Sequence, residues 1–527
     1  MAIPGFQTTA PETKLKITTI VVGFLVLRLA AAAWAGLGVD ESYSLAIARQ
    51  LQLSYFDHPP LHQWIVHAFS GVLGYGRWAR LPFVGMFAVS TWLLFDLTRR
   101  LFGAPAGLWA AFALNVSGFF TAAAGGWVLP DGPLILCLLA AADQSARLLF
   151  TRETFETSRP SASLGDWLWI GVWLGLAGLS KYQAVLVGLG LCGALFALPQ
   201  GRAELKRPGP YLAASLAILV VSPVLIWNAQ NGWVSFIFQG GRAEPAHGLR
   251  PEAILKTLLG QSILLLPWIF APLILAGWKA ARAKVTCERR VFCLMLGLPS
   301  IVLFALTPIW GQTGLPHWAM PGWLFLFPLL GEFLAKAAEK KTWPRTWAIA
   351  SLAALGVLWT CSVSETATGW IGRTWPALFK AGDPTLESIE WTPLGHALSA
   401  MTQQNRAAAF IIAANWHDAG KIGQAMKQGT TILVGSNDPR GFGYGRRIDG
   451  LVGRDALIVM HAEPNLGELD SLRPCFASLK PMGSVAFGRH GAPEIRLRLV
   501  YASKLLVSCQ ALGRTDPDSI ARGLFLR

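Results

Sequence analysis

Residues 17–37 read ITTIVVGFLVLRLAAAAWAGL, and this run decides the fold. An apolar stretch of about 20 residues spans a bilayer as a helix. It carries a single charge, Arg28, near its middle. Lys14 and Lys16 stand just before it, and no clean small-residue cleavage site follows. The run therefore reads as a signal anchor whose lysines stay in the cytoplasm.

Working outward, similar runs recur at about 81–98, 104–124, 133–150, 166–179, 183–198, 210–227, 254–278, 291–309, 319–335 and 346–363. About 11 transmembrane helices are expected. The dense basic clusters alternate with them: Arg99-Arg100, Arg147 to Arg159, Arg202 to Arg207, Lys279 to Arg290, and Lys336 to Arg345. All fall on one side, as the positive-inside rule requires. The other side receives sparse, mixed polar residues, among them Asp40, Asp57, Asp131, Lys181, Asn228, Arg242, Glu244, His247 and His317.

Composition agrees. The chain is 53% hydrophobic and only 14% charged, where a soluble protein carries roughly 25% charged residues. Its 23 tryptophans suit interfacial belts. The net charge of +15 is topological and does not imply a nucleic-acid partner. The seven cysteines show no metal-ligand spacing. No Walker loop, nucleophile elbow or HExxH motif occurs, so a nucleotide-driven enzyme or protease is unsupported.

Beyond residue 363 the apolar runs shorten to strand length: Ala407–Ala413, Thr431–Val434, Ala456–Met460 and Ile495–Tyr501. Gly and Pro punctuate them. The expected organisation is a membrane domain over 1–363, with a first outer loop at 38–80, and a soluble α/β domain over 364–527. Cys475 and Cys509 lie in the latter. An oxidising compartment permits a bridge between them, and two buried thiols are the alternative.

The first outer loop opens with Gly38 to Trp64, GVDESYSLAIARQLQLSYFDHPPLHQW. Acids beside membrane spans are functional candidates by default. Asp40 and Glu41 follow span one directly. Helix capping accounts for one acid. A pair followed by Tyr43 points to a general base at the membrane surface. Asp57 and His58 precede Pro59-Pro60, which fix a rigid turn. That turn is either a helix corner or a pocket wall near Asp40. Asp40, Glu41, Asp57, His58 and His62 include metal-ligand types, but the spacing is not diagnostic, and no metal or other cofactor is expected.

Ser180-Lys181-Tyr182 interrupts an apolar hairpin on the outer side. An unpaired lysine there needs a partner or water, or it binds an anionic phosphate arriving from the lipid. Arg77 and Arg80 are further phosphate candidates. Asp131 sits in a turn-like Pro130–Pro133. Asn228 and His317 lie between tryptophans, an arrangement equally suited to carbohydrate faces and to the bilayer interface.

In this order, the acidic pair, YFDHPPL, PDGPL, GLSKYQAVL, SPVLIWNAQNGWVSFIFQ and PHWAMPGWL resemble the bacterial protein-mannosyltransferase-like glycosyltransferases. These are GT-C membrane enzymes related to the aminoarabinose and galacturonic acid transferases that modify lipid A. The resemblance covers about residues 15–335. It implies a sugar donor carried on polyprenyl phosphate, transferred with inversion in the periplasm to a hydroxyl of a lipid or glycan acceptor. It also implies that Asp40 is the catalytic base with Glu41 beside it. His58 and its prolines would shape the site, and Lys181 and Tyr182 would match the family's SKY element. Localisation in the bacterial inner membrane follows. A transporter or flippase of lipid-linked sugars is the competing class, against which no inverted repeat is evident.

Overall fold

The computed structural model describes residues 10–150, 163–241, 248–283, 287–311, 314–380, 382–403, 408–426, 429–436, 438–444, 449–462 and 466–506. Arg242, Glu244 and His247 lie outside them. The chain falls into two compact units. One gathers Met1–Ala31, Arg80–Ile226 and Arg242–Gly356; the other gathers Ala32–Ala79, Trp227–Gly241 and Val357–Arg527.

The first unit is helical. Six helices among the described residues are long and apolar enough to cross a membrane: Pro11–Trp34, Arg77–Phe102, Asp131–Phe150, Gly209–Gln230, Glu288–Ile309 and Trp343–Thr368. Two bent pairs bring the number to at most eight. Ala253–Leu265 and Pro267–Ala281 meet at 113°, and Pro316–Leu324 and Phe327–Ala338 at 59°. The expected span at 104–124 is instead a helix over Ala104–Asn115 followed by a π-turn over Phe120–Ala124. Leu164–Ser180 and Ala184–Ala197 are also short. Eleven apolar runs therefore do not become eleven long helices, because Gly and Pro break several of them. Ile218, Leu219 and Ile349 leave their side chains exposed, an apolar surface that suits lipid rather than water. The protein is a multi-pass membrane protein.

Arg28, unexplained by sequence, finds its partners within this unit. Its Nη2 donates to Asn115 Oδ1 at 2.8 Å, its Nε to the Thr121 carbonyl at 3.3 Å, and the guanidinium lies 4.4 Å from the Phe87 ring centre. A charge buried among apolar helices persists only when paired in this way.

The helix Asp131–Phe150 carries polar links at both ends. Near its end, Asp143 meets Arg100 at 3.3 Å and Arg147 at 2.8 Å. At its start, Asp131 meets Lys181. At a rise of 1.5 Å per residue, Asp143 and Arg147 stand about 18–24 Å along the helix from Asp131, so the Asp131–Lys181 pair lies well away from the basic cluster.

The second unit contains a five-stranded sheet of order β2-β1-β3-β5-β4, with β1 Phe410–Ala413, β2 Thr431–Val434, β3 Ala456–His461, β4 Phe476–Phe487 and β5 Ile495–Leu505. β1 is parallel to β2 and β3, whereas β5 runs antiparallel to β3 and β4. The helix Trp416–Ala425 connects β1 to β2. Alternation along the strands divides two cores. Phe410, Ile412, Ile458 and Val500 face one side, and Ile411, Ala413, Val459, Leu497 and Leu499 face the other. Cys475 is buried and disulfide-bonded; Cys509 lies outside the described residues.

The second core also takes in Tyr43, Ala46 and Ile47 from the first outer loop. Their helix, Val39–Ala48, packs on Trp416–Ala425. Contact is close because Gly420 and Gly423 have no side chain. A Cβ on Gly420 would stand 2.7 Å from the Tyr43 nitrogen, and one on Gly423 would stand 2.9 Å from the Ala46 Cβ. Gly420→Ala is therefore expected to lower stability by about 1–3 kcal/mol through overpacking, read as a lower melting temperature of the detergent-solubilised protein.

Candidate functional site

The helix Val39–Ala48 begins at Gly38, whose N–H donates to Glu41 Oε2 at 3.1 Å. Glu41 is the third helical residue and is 2% exposed, so its carboxylate satisfies an orphan donor of the first turn. Asp40, one residue earlier, is exposed at the surface of its unit. The two acids that look alike in sequence thus have different surroundings. Glu41 holds the helix start, and Asp40 is left accessible for chemistry.

Partial burial nevertheless raises the Asp40 pKa above the usual carboxylate value. Arg440 opposes the shift, while Asp57, Glu387 and Glu41 add to it. A base that is reachable yet poorly solvated takes up a proton more readily than an ordinary aspartate.

Lys421 anchors the chain just before this helix. Its ammonium donates to the carbonyls of Leu37 at 2.5 Å, Ile389 at 3.1 Å, and Glu387. It is 4% exposed. A buried lysine with its donors on carbonyls acts as a rigid peg, and here it fixes the entry to Gly38-Val39-Asp40.

Tyr43 lies one helical turn beyond Asp40. Its hydroxyl donates to Asp57 Oδ1 at 2.9 Å and accepts from the Gly441 N–H at 2.9 Å. Burial, and then the charge of Asp57, push this phenol well above the usual tyrosine range, so it remains a donor. The ring packs edge-on against Trp416 and Phe442, with centroids 5.1 and 5.8 Å away. Tyr43→Phe leaves Asp57 and the Gly441 N–H short of a partner. A loss of about 1–3 kcal/mol is expected, measurable by thermal unfolding.

The Pro59-Pro60 turn brings Asp57 back beneath Tyr43. Its backbone carbonyl accepts from Gln239 Nε2 at 2.8 Å, which holds the turn to the Val234–Gly240 helix. The His58 ring stands edge-on to His62 at 6.0 Å, and His62 Nε2 lies 3.4 Å from Ser44 Oγ. Among the described residues no three His, Cys, Asp or Glu side chains gather as a metal site would require.

The other residues singled out by sequence are distributed between the two units. Arg77 pairs with Glu390 at 2.7 Å and donates to the Ala33 carbonyl, tying the loop within the second unit. Asn228 is buried and accepts from the Ser235 N–H at 3.1 Å, so it shapes the turn between two helices. Arg80 is buried at the start of the Leu81–Phe102 helix of the first unit. In that unit Lys181 Nζ donates to both oxygens of Asp131, at 2.9 and 3.0 Å. Sequence left Lys181 in want of a partner, and Asp131 is that partner. Tyr182 follows in the turn, and His317 stacks on Phe119 with ring planes 5° apart.

Sequence reasoning missed Arg440. It lies in Pro439–Tyr444 (PRGFGY), a loop between β2 and β3. The one available signal was an arginine set among glycines and aromatics. Its Nη1 is 3.9 Å from Asp57 Oδ2, and its guanidinium lies 3.8 Å from the centre of the Trp416 ring.

These features agree with what the chain resembles. A family model described as dolichyl-phosphate-mannose-protein mannosyltransferase matches residues 57–227. The lipid A galacturonosyltransferase RgtD of Rhizobium johnstonii is 24% identical over 334 residues, which cover 62% of this chain and 66% of that protein. The apo crystal structure of ArnT from Cupriavidus metallidurans superposes with a TM-score of 0.59 at 16% identity, over 91% of this chain and 98% of ArnT. The same enzyme bound to undecaprenyl phosphate superposes equally well, with a TM-score of 0.59 at 15% identity over 92% and 97% of the two chains. At that identity the structures establish a shared fold. The chain is a multi-pass membrane protein with the fold of the ArnT structures, and its sequence is similar to the lipid A galacturonosyltransferase and, over residues 57–227, to the mannosyltransferase model.

Proposed function

We propose that this protein transfers a sugar from a polyprenyl phosphate carrier to a hydroxyl of a lipid A-type acceptor on the periplasmic face of the inner membrane. The carrying observation is Asp40. It is accessible and partly desolvated, on a helix whose start is pegged by Lys421 and capped by Glu41. The kinship with a lipid A galacturonosyltransferase supports the acceptor class and makes a uronic acid the first sugar to test. The disulfide at Cys475 supports an oxidising compartment for the second unit.

In the reaction the acceptor hydroxyl attacks the anomeric carbon as Asp40 takes its proton. The bond to the carrier phosphate breaks, and the electron pair leaves with the phosphate. One displacement inverts the anomeric centre. Phosphate is a competent leaving group, so no covalent enzyme intermediate is required. The role proposed for the first unit is to accommodate the lipid phosphate. There the Lys181 ammonium, held by Asp131, is the cationic candidate.

The test is direct. The full-length protein in detergent is supplied with polyprenyl-phosphate-linked galacturonic acid or aminoarabinose and with lipid A, and the products are analysed by mass spectrometry. A mass increment of one sugar on lipid A is expected. Failure to transfer either sugar to lipid A overturns this donor and acceptor assignment. Movement of the lipid-linked sugar across vesicles without transfer favours a flippase.

A further inference from the structure

Arg440 adopts a left-handed backbone conformation, with φ of +46°, which a residue bearing a Cβ rarely adopts without a reason. Its surroundings impose it. The next N–H, that of Gly441, is held by the Tyr43 hydroxyl, and Phe442 packs on the Tyr43 ring. The guanidinium carbon lies 3.8 Å from the centre of the Trp416 ring. Among the described residues its one hydrogen bond is from Nε to Asp438 Oδ2, at 3.4 Å. The Nη edge faces Asp57, and the side chain is 23% exposed.

The charges around Asp40 come from several elements. Glu41 and Tyr43 share its helix, Asp57 comes from the proline turn, and Glu387 from the Pro384–Ser388 turn. The packed helix Trp416–Ala425 brings His417, Asp418 and Lys421, and the helix Leu61–Leu73 brings His62 and His67. Most are engaged elsewhere. Asp418 meets His461 at 3.2 Å, Lys421 donates to three carbonyls, and His67 lies 3.1 Å from the Ala48 carbonyl. Burial, and then the charge of Arg440, hold His417 below its usual value. Among the described residues Arg440 is the cation set against this acid cluster: its Nη1 stands 3.9 Å from Asp57, which is hydrogen-bonded to Tyr43 one helical turn beyond Asp40, and its charge opposes the rise in the Asp40 pKa.

We propose that Arg440 is a positioning residue of the transfer reaction: the loop after β2 sets its guanidinium against the acids, so that Asp40 stands as a carboxylate able to take the acceptor's proton. The inference rests on the reading of Asp40 as the base. It gives the sheet-bearing part of the chain a role in the chemistry.

The test uses the full-length protein with Arg440→Gln and Arg440→Lys. Two profiles are recorded against pH: kcat/KM, and carbodiimide labelling of Asp40 mapped by peptide mass spectrometry without substrate. Carbodiimide reacts with the protonated carboxyl. In Arg440→Gln the acid limb and the labelling midpoint are expected to move upward together by about one pH unit, with Arg440→Lys close to wild type. An equal loss of activity at every pH with an unmoved limb overturns the proposal in favour of a scaffolding role. A raised KM with an unmoved limb overturns it in favour of a substrate contact. Asp40→Asn separates the two readings. If that variant is inactive while the limb in Arg440→Gln stays put, the role of Arg440 alone fails. If that variant transfers at the full rate, the base assignment fails and the role of Arg440 with it.

Discussion

Replacing Asp40 by Asn is expected to lower kcat by about 100- to 10,000-fold, the range lost with a general base, while KM for the lipid-linked sugar changes little. The amide keeps the shape of the carboxyl and its place beside the pegged helix start, so binding survives. What disappears is the proton acceptor. The same substitution should leave the melting temperature equal to that of wild type or higher. Folding raises the Asp40 pKa, so the folded chain binds that proton more tightly than the unfolded chain does. The resulting stabilisation is present below the unfolded pKa and is lost as pH rises through the folded one. At neutral pH the ionised carboxylate therefore opposes folding, and Asn relieves it. Loss of transfer without loss of stability is the signature expected of a catalytic base. In the wild type, kcat/KM should fall as pH drops through a value above the ordinary aspartate range. Full transfer by Asp40→Asn, or an acid limb at ordinary aspartate pH, would sink the assignment.

The second large effect is expected at Lys181. Its side chain and that of Asp131 are 3% and 6% exposed. Lys181→Ala leaves a carboxylate buried without its cation, and the cost of breaking such a pair is about 3–5 kcal/mol. Thermal unfolding should show it directly. Activity is also expected to fall, which alone says nothing about a role in binding phosphate. The double variant Asp131→Leu with Lys181→Met resolves this. Apolar residues of similar volume often replace a buried pair at little cost, or with a gain, so stability should return close to wild type. Under the proposed reaction transfer should not return, because the ammonium proposed to meet the lipid phosphate is still missing. A stable double variant with restored transfer would reduce the pair to a strut between helices.

The pair also illustrates what sequence can and cannot disclose. Asp131 and Lys181 each stand out, because charge is costly beside a bilayer. Their partnership does not, since it depends on how two helix ends 50 residues apart are packed. Strands β1, β2, β3 and β5 are legible as short apolar runs, and β5 also alternates. β4 is not. It lies at the edge of the sheet, alternates poorly, and includes Lys480, Pro481 and Gly483, with a register irregularity between the last two. An edge strand tolerates these residues, and a pattern reader takes them for a loop. In the membrane part, hydropathy finds apolar stretches but does not tell a straight span from a pair bent by 113°. Asp40 stands out in sequence from its place after a span, whereas Arg440 matches no motif.

The packing of Val39–Ala48 against the strand-bearing half has a consequence for the order of synthesis. Tyr43 waits for Gly441, 398 residues later in the chain. At roughly 5–20 residues per second that interval is about 20–80 s. Throughout it the helix that carries Asp40 has neither its packing partner nor the Gly441 N–H that holds Tyr43. Its packed form is completed only after the strand-bearing segment has been made, so a chain cut short before that segment keeps this helix without its core.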